Sequence, residues 1–131
     1  AIPHGIICLV SALRFHNITI ENPHELHIAL KQHSRYPKIA YPPVVFYIYS
    51  DQSYSFGIES HNCNGVIVKV YSIEKTIADC FKYRNKIGLE VAVAALREGT
   101  KIKTYSYDAF WEAAKVCRVS KIIRPYMEAI S

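Results

Sequence analysis

The spacing of apolar residues changes at Ser72, and this change constrains the fold of the 131-residue chain more than any other feature. Before Ser72, the segments Val44–Tyr49 (VVFYIY) and 65–71 (GVIVKVY) are rich in β-branched and aromatic residues, which favour β-strands. After Ser72, apolar residues recur every three or four positions, as in amphipathic helices. The sequence therefore predicts an α+β fold, in which a small, mainly antiparallel sheet carries an N-terminal helix and a C-terminal cluster of about four helices.

The first part of the chain predicts a helix and then a long loop. The helix is indicated over residues 4–16, where four apolar residues share one helical face: Ile6, Leu9, Val10 and Leu13. Asn17 suits a left-handed stop, and Pro23 prevents the helix from continuing. Residues 32–43 contain three prolines and two tyrosines, so we expect an extended loop there.

Further extended segments complete the predicted sheet. Residues 25–30 (ELHIAL) alternate in polarity and predict a short strand, and residues 54–58 predict another short extended piece. The Asn-Gly pair within residues 62–65 predicts a tight turn. We expect the two strong strands, Val44–Tyr49 and 65–71, to be antiparallel neighbours.

Four helices are predicted after the sheet, each with recognisable ends. Ser72 is placed to cap the first, and Gly88 to end it. The second is marked by Leu89, Ala92, Val93 and Leu96, and Gly99 is expected to stop it. The remaining start signals are Thr104 or Ser106 for the third helix and Ser120 for the fourth, with a kink or late start expected at Pro125.

Length and composition indicate one domain, 1–131, with a hydrophobic core of its own. No apolar run reaches the roughly eighteen residues that a membrane span needs. The first residues lack the pattern of a signal peptide, so we expect a cytoplasmic protein. Because the chain begins at Ala1 without a methionine, we also expect it to be a fragment of a longer protein.

The four cysteines predict buried thiols and no metal site. Three of them lie in apolar helical patterns, where cysteine packs as a small hydrophobe: Cys8, Cys80 and Cys117. Cys63 lies near the expected turn and is the one we expect to be exposed. No pair has the C-x-x-C spacing of zinc and redox sites, so we expect reduced thiols and no cofactor.

Catalytic patterns are absent from the sequence, and we expect no enzyme activity. A metal-dependent nuclease is the nearest alternative, with Asp51, Glu59 and Lys69 as candidates, but no acid-x-Lys triplet precedes Lys69. His24 and His27 are three positions apart, which places them on opposite faces of a strand and unsuited to chelation. A degenerate nuclease remains the weakest of the alternatives.

The net charge of +5 lies mainly after residue 71 and suggests two binding surfaces. The first is a charged face on the helix after Ser72, which we expect to expose Lys75, Asp79, Lys82, Arg84 and Lys86 to a partner. A solvated helix laced with ion pairs explains the same pattern. The second is a basic stripe suited to nucleic acid, formed by Lys101, Lys103, Lys115, Arg118, Lys121 and Arg124.

Residues 71–88 (YSIEKTIADCFKYRNKIG) resemble the AbiEi family of antitoxins and transcriptional regulators. The matching residues in this motif are Ser72, Glu74, Lys75, Thr76, Ala78, Asp79, Cys80, Phe81, Arg84, Lys86 and Gly88. Further matches are Cys8, Leu9, Ser11, Ala12, Leu13, His16, Thr19, Ile28, Ala29, Ala95, Leu96 and Arg97. The resemblance therefore extends over nearly the whole chain.

The resemblance implies the effector domain of a type IV toxin–antitoxin, abortive-infection system against phage. Such a domain counters a nucleotidyltransferase-like toxin and helps the full-length protein to repress the shared promoter through operator DNA. Members of the family usually carry an N-terminal winged helix-turn-helix, and nothing before Ile6 matches one. We therefore expect this chain to act through toxin restraint, self-association or support of DNA binding.

Overall fold

The structure, a computed structural model, describes residues 4–19, 24–39 and 43–130. These residues form a five-stranded sheet and seven helices, an α+β fold as predicted. The strands are β1 (Ile6–Ile7), β2 (Leu26–Lys31), β3 (Val44–Tyr49), β4 (Ile58–Cys63) and β5 (Val66–Tyr71). The helices are α1 (Leu9–Phe15), α2 (Asp51–Ser55), α3 (Ile73–Lys82), α4 (Arg84–Ile87), α5 (Leu89–Gly99), α6 (Tyr107–Val116) and α7 (Ser120–Ile130).

The sheet is mixed and has the strand order β3-β2-β1-β5-β4, so the expected mainly antiparallel arrangement is wrong. β1 pairs antiparallel with β2 but parallel with β5, and β2 pairs parallel with β3. The two strong strands β3 and β5 are consequently not neighbours, because β2 and β1 lie between them. Pairing in a sheet is a long-range choice, and the short strand β1 fills the centre in a way that local spacing does not reveal.

The first helix is shorter than predicted because its expected first turn belongs to the sheet. Ile6 pairs with Ala29 and Ile7 with Val70, so both isoleucines lie between two strands. Cys8 is the N-cap of α1, and the helix ends at its C-cap His16. Asn17 then adopts a φ of 61°, the left-handed stop that we predicted.

The predicted short extended piece over residues 54–58 is mostly wrong. Ser50 caps a helical turn, α2, by accepting a hydrogen bond from the Ser53 N–H, and Tyr54 lies within that helix. The C-cap Phe56 has an extended backbone, and Ile58 is the first residue of β4. In the predicted loop, residues 32–39 contain a turn and then irregular backbone; residues 40–42 and Pro23 lie outside the described residues.

The helical half follows most of its predicted ends, but the helix expected to run from Ser72 to Gly88 is divided, because α3 ends at Lys82 and the short helix α4 covers Arg84–Ile87. Ser72 and Ser106 cap α3 and α6 through their hydroxyls, so Ser106 and not Thr104 begins the third helix. Gly88 separates α4 from α5 with a φ of 101°, which favours glycine. α7 begins at Ser120 without a late start and contains Pro125 within it. None of the helices formed by the described residues is long and apolar enough to span a membrane.

The hydrophobic core lies around α3, which packs against α1, α5 and α6. Its apolar side chains Ile77 and Phe81 are fully buried, as are Leu13 of α1 and Phe110 of α6. The three cysteines predicted to be buried are buried, and Cys63 is exposed. α3 is thus the central helix of the domain rather than a helix on its surface.

Candidate functional site

Lys75 and Asp79 form a fully buried ion pair on α3. The Lys75 Nζ donates to both carboxylate oxygens of Asp79, at 3.0 Å to Oδ1 and 2.9 Å to Oδ2. Both side chains have 0% exposure to solvent. Because removing two charges from water is costly, such a pair persists only when its geometry is good and its surroundings supply further contacts.

Two tyrosine rings of the sheet supply part of this environment. The Lys75 Nζ lies 4.1 Å from the ring centroid of Tyr71 and 4.7 Å from that of Tyr49, which are both cation–π distances. The two rings stack on each other with their centroids 5.6 Å apart. Tyr49 is the last residue of β3 and Tyr71 the last of β5, so strand ends from both halves of the sheet meet at one lysine.

A thiol completes the cluster on the side of the carboxylate. The Cys117 Sγ, just after α6, donates to Asp79 Oδ1 at 3.2 Å. Burial raises the pKa of Asp79, and Lys75, Cys117 and the nearby Tyr49 hydroxyl oppose this rise. The Tyr49 hydroxyl makes no hydrogen bond of good geometry with any described residue. Burial, and then the charge of Asp79, raises the pKa of Cys117 to about 12. The thiol is therefore protonated at neutral pH and acts as a donor, not as a nucleophile.

The expectation that Lys75 and Asp79 lie on an exposed, partner-binding face is wrong. Every residue of α3 from 73 to 81 is buried, since the helix is enclosed by other helices and by the sheet. The i,i+4 spacing of the pair is real, but it spans the interior of the domain. No substrate or partner can reach these groups without unfolding the domain around them, so the pair belongs to the framework of the fold.

Other polar residues of the 71–88 motif are also used internally. The Glu74 Oε2 accepts a hydrogen bond from the Ser106 N–H at 2.7 Å, which links α3 to the start of α6. The Thr76 Oγ1 donates to the Tyr71 carbonyl at 3.3 Å. The Arg84 Nη1 donates to the Phe81 carbonyl at 2.7 Å. The motif therefore specifies how α3 is held among its neighbours.

Two members of the expected partner-binding set do face solvent. Lys82 is the last residue of α3 and is exposed, and so is Lys86 in α4. Asn85 between them is exposed as well, whereas Arg84 is half-buried through its bond to the main chain. Among the residues that the structure describes, neither lysine forms an ion pair. The expected charged face is thus reduced to two cations at the junction of α3 and α4.

All six residues of the basic stripe are exposed. Lys101 is close to Glu98, at 3.4 Å, in the loop after α5. The Arg124 guanidinium lies 5.1 Å from the ring centroid of Trp111, and Tyr107 contacts the same ring edge-on. The other members are Lys103 before α6 and Lys115, Arg118 and Lys121 around the turn from α6 to α7.

The structure separates the residues of the nuclease alternative. Asp51 lies at the start of α2, and Glu59 is paired with His61 at 2.9 Å on β4. Lys69 is opposite Ser60 in the ladder, one position from Glu59, so the lysine and the glutamate point to opposite faces of the sheet. Within the described ranges, no group of three side chains could hold a metal ion.

Surface clefts lie away from the buried cluster. One, of about 170 Å³, is formed by α1 and α5 and lined by Leu13, Ile18, Thr19, Glu90, Val91, Ala94 and Ala95. Another, of about 380 Å³, lies beside Tyr36 and Arg35. Neither cleft brings together the groups of a reaction centre.

His27 is buried, and burial lowers its pKa, whereas His24 and His33 are exposed.

Compared with models of known protein families and with curated proteins, the chain matches none. Sequence reasoning did not identify Tyr49, Tyr71 and Cys117 as the surroundings of the ion pair, because they come from three separate elements. One local sign was available: Asp79 is the only charge in residues 76–81, and apolar residues flank it on both sides. A charged side chain is almost never fully buried unless it is paired, so a charge within an apolar run directs attention to a partner such as Lys75, four positions earlier.

Proposed function

We propose that this domain is the effector domain of a type IV antitoxin, which restrains a nucleotidyltransferase-like toxin in the cytoplasm and assists repression of their shared promoter. The proposal rests on the resemblance to the AbiEi family. Its main support is the role of the matching residues, since Ser72, Glu74, Lys75, Thr76 and Asp79 all make internal contacts. Because the matching residues hold the core together, the resemblance concerns the fold of the domain. A shared fold is what members of a domain family have in common.

The exposed cations at the junction of α3 and α4 are the surface that we assign to the toxin. Lys82 and Lys86 are four positions apart and follow directly on the buried part of the motif. Lys82 lies on the helix whose buried face carries the Lys75–Asp79 pair, and Lys86 lies on the short helix that follows it. Two exposed lysines that form no ion pair with any described residue favour an acidic surface on the other protein, through charge complementarity that acts mainly on the rate of association.

Growth during co-expression with the toxin tests this assignment. The variant Lys82→Glu/Lys86→Glu should fold normally and lose the ability to restore growth to cells that express the adjacent nucleotidyltransferase-like gene. The matched control is Lys31→Glu/Lys38→Glu, which makes the same change in net charge at two exposed lysines elsewhere and should still restore growth. Equal rescue by both variants would refute the assigned surface.

A nucleic-acid-binding role is the second candidate, and the exposure of all six stripe residues favours it. Phosphate contacts release counterions, so binding to duplex DNA should weaken steeply as salt rises. Changing Lys115, Arg118 and Lys121 to glutamine should lower both the affinity and the salt dependence. Fluorescence anisotropy at several salt concentrations measures both, and binding that is insensitive to salt would exclude this role.

A further inference from the structure

The sheet ends at β4, and this edge is open. In the part of the chain that the structure describes, β4 (Ile58–Cys63) pairs only with β5, and no backbone bond to its other side is formed. The strand contains neither proline nor lysine, two residues that commonly block edge-to-edge pairing. An unblocked edge presents a row of unpaired N–H and C=O groups to solvent.

The ladder shows which backbone groups point outward. Asn64 and Gly65 form the two-residue turn with φ values of 55° and 87°, so the flanking pair Cys63–Val66 exchanges hydrogen bonds. Hydrogen-bonded pairs alternate with non-hydrogen-bonded pairs along an antiparallel ladder. The bond from the Ser72 N–H to the Gly57 carbonyl, at 2.7 Å, lies where this alternation places a bonded pair. The backbone groups of Ile58, Ser60 and Asn62 therefore point away from β5.

The opposite edge of the sheet is better covered. The Ile48 carbonyl on β3 accepts a bond from the Tyr83 hydroxyl at 3.4 Å, and the Phe46 ring stacks on Tyr36 with the centroids 5.5 Å apart. The residues of β3 are half-buried or buried, whereas half of β4 is exposed. As far as the described residues go, β4 is thus the edge that is available to another strand.

We infer that β4 pairs antiparallel with β4 of a second copy of this chain, around a two-fold axis at Ser60. This register joins the outward groups of Ser60 to those of the partner's Ser60, and Ile58 to the partner's Asn62. Glu59 then lies directly opposite the partner's His61, and His61 opposite the partner's Glu59. Side chains in such pairs approach closely, and unlike pairs stabilise a sheet.

Charge complementarity selects this partner and this register. Glu59 and His61 share one face of β4 and already contact each other at 2.9 Å. The two-fold arrangement surrounds each carboxylate with two imidazoles and each imidazole with two carboxylates. A shift of the register by two residues would instead place Glu59 opposite the partner's Glu59 or His61 opposite the partner's His61. The same sequence thus favours one symmetric pairing, which makes a continuous sheet across two subunits.

Sedimentation measures this association. Three outward residues on each strand make a small interface, so we expect a dimer that forms between about 10 µM and 1 mM. Ser60→Pro removes an outward N–H that β5 does not use, and should weaken dimerisation about tenfold or more while the fold persists. His61→Pro is the comparison, because it removes an inward donor and should disrupt the hairpin itself. A chain that stays monomeric throughout, or a dimer that Ser60→Pro leaves unchanged, overturns the inference.

A cross-link tests the register without destabilising the fold. In a Cys63→Ser background, Ser60→Cys should form a covalent dimer under a mild oxidant, since Cα atoms opposite each other in a bonded pair are about 5.5 Å apart, within disulfide range. Lys69→Cys in the same background is the control. It places the thiol one strand inward, about 14 Å from its counterpart, and should not cross-link. Equal cross-linking at both positions, or none at position 60, refutes the register.

A charge swap distinguishes this pairing from the binding of an unrelated strand. Glu59→Lys should weaken the dimer about threefold or more, because it places a cation beside two imidazoles. Glu59→His/His61→Glu exchanges the pair in both subunits and should keep the affinity within about threefold of the original. If the exchanged variant is as weak as Glu59→Lys, the Glu–His pairing does not hold the two copies together.

Discussion

The buried ion pair provides the most direct test of the fold. Lys75→Met keeps most of the side-chain volume but removes the ammonium that contacts both oxygens of Asp79. Among the residues that the structure describes, the carboxylate then keeps only the Cys117 thiol as a hydrogen-bond donor. Removing one partner of a buried pair costs about 3–5 kcal/mol of unfolding free energy, because the remaining charge is buried without compensation. We expect a loss of that size at neutral pH.

The loss of unfolding free energy should depend on pH, and the titration of Asp79 determines whether the loss grows or shrinks as the pH rises. Burial already raises the pKa of this carboxyl above 3.8, and Lys75 opposes the rise through its charge and its hydrogen bond. Without Lys75 the folded pKa rises further. A protonated Asp79 carboxyl stabilises the folded protein. This contribution is fully present below the pKa of Asp79 in the unfolded chain and is lost as the pH rises through its pKa in the folded protein. The difference in unfolding free energy between the variant and the original protein should therefore be larger at pH 8 than at pH 5, by up to about 1.4 kcal/mol per pH unit.

Urea unfolding at pH 5 and pH 8, followed by circular dichroism, measures both quantities. The matched control is Lys82→Met, which removes an exposed lysine from the same helix and should change the unfolding free energy by less than about 0.5 kcal/mol. The double variant Lys75→Met/Asp79→Leu should recover most of the loss, since a packed apolar pair needs no charge compensation. A loss below about 1 kcal/mol, or one that is equal at the two pH values, would show that the pair is not buried as described.

Three other predictions concern stability and reactivity. Ser72→Ala removes the cap of α3 and should cost about 1 kcal/mol in urea unfolding; no measurable change would argue against the capping bond. Gly99→Ala places a Cβ 2.6 Å from the Ile77 Cδ1 and should cost about 1–3 kcal/mol, whereas a Cβ at Gly65 meets open space and only backbone strain. In the folded protein a maleimide should modify Cys63 alone, as mass spectrometry can show; reaction before unfolding at any of the buried thiols, Cys8, Cys80 and Cys117, would contradict their burial.

Local signals in the sequence were sufficient for most of the secondary structure. The caps Ser72 and Ser106, the left-handed Asn17 and the turn at Asn64–Gly65 were all recognisable, because each depends on the chemistry of a few adjacent residues. The burial of three cysteines followed from the same local spacing. The error in α1 arose where this reasoning is weakest, since Ile6 and Ile7 fit a helical stripe and a buried strand equally well.

Tertiary structure alone determined the strand order and the surroundings of Lys75 and Asp79. An i,i+4 pair of opposite charges looks the same in sequence whether it faces water or the core. Its burial depends on Tyr49, Tyr71 and Cys117, which come from three elements and meet only when the sheet and helices have packed. The sequence by itself thus determined most of the elements and those of their ends that carry a cap or turn signal, which are short-range properties of the backbone. Only packing, which joins residues far apart in the chain, decided which strands pair and which charges are buried.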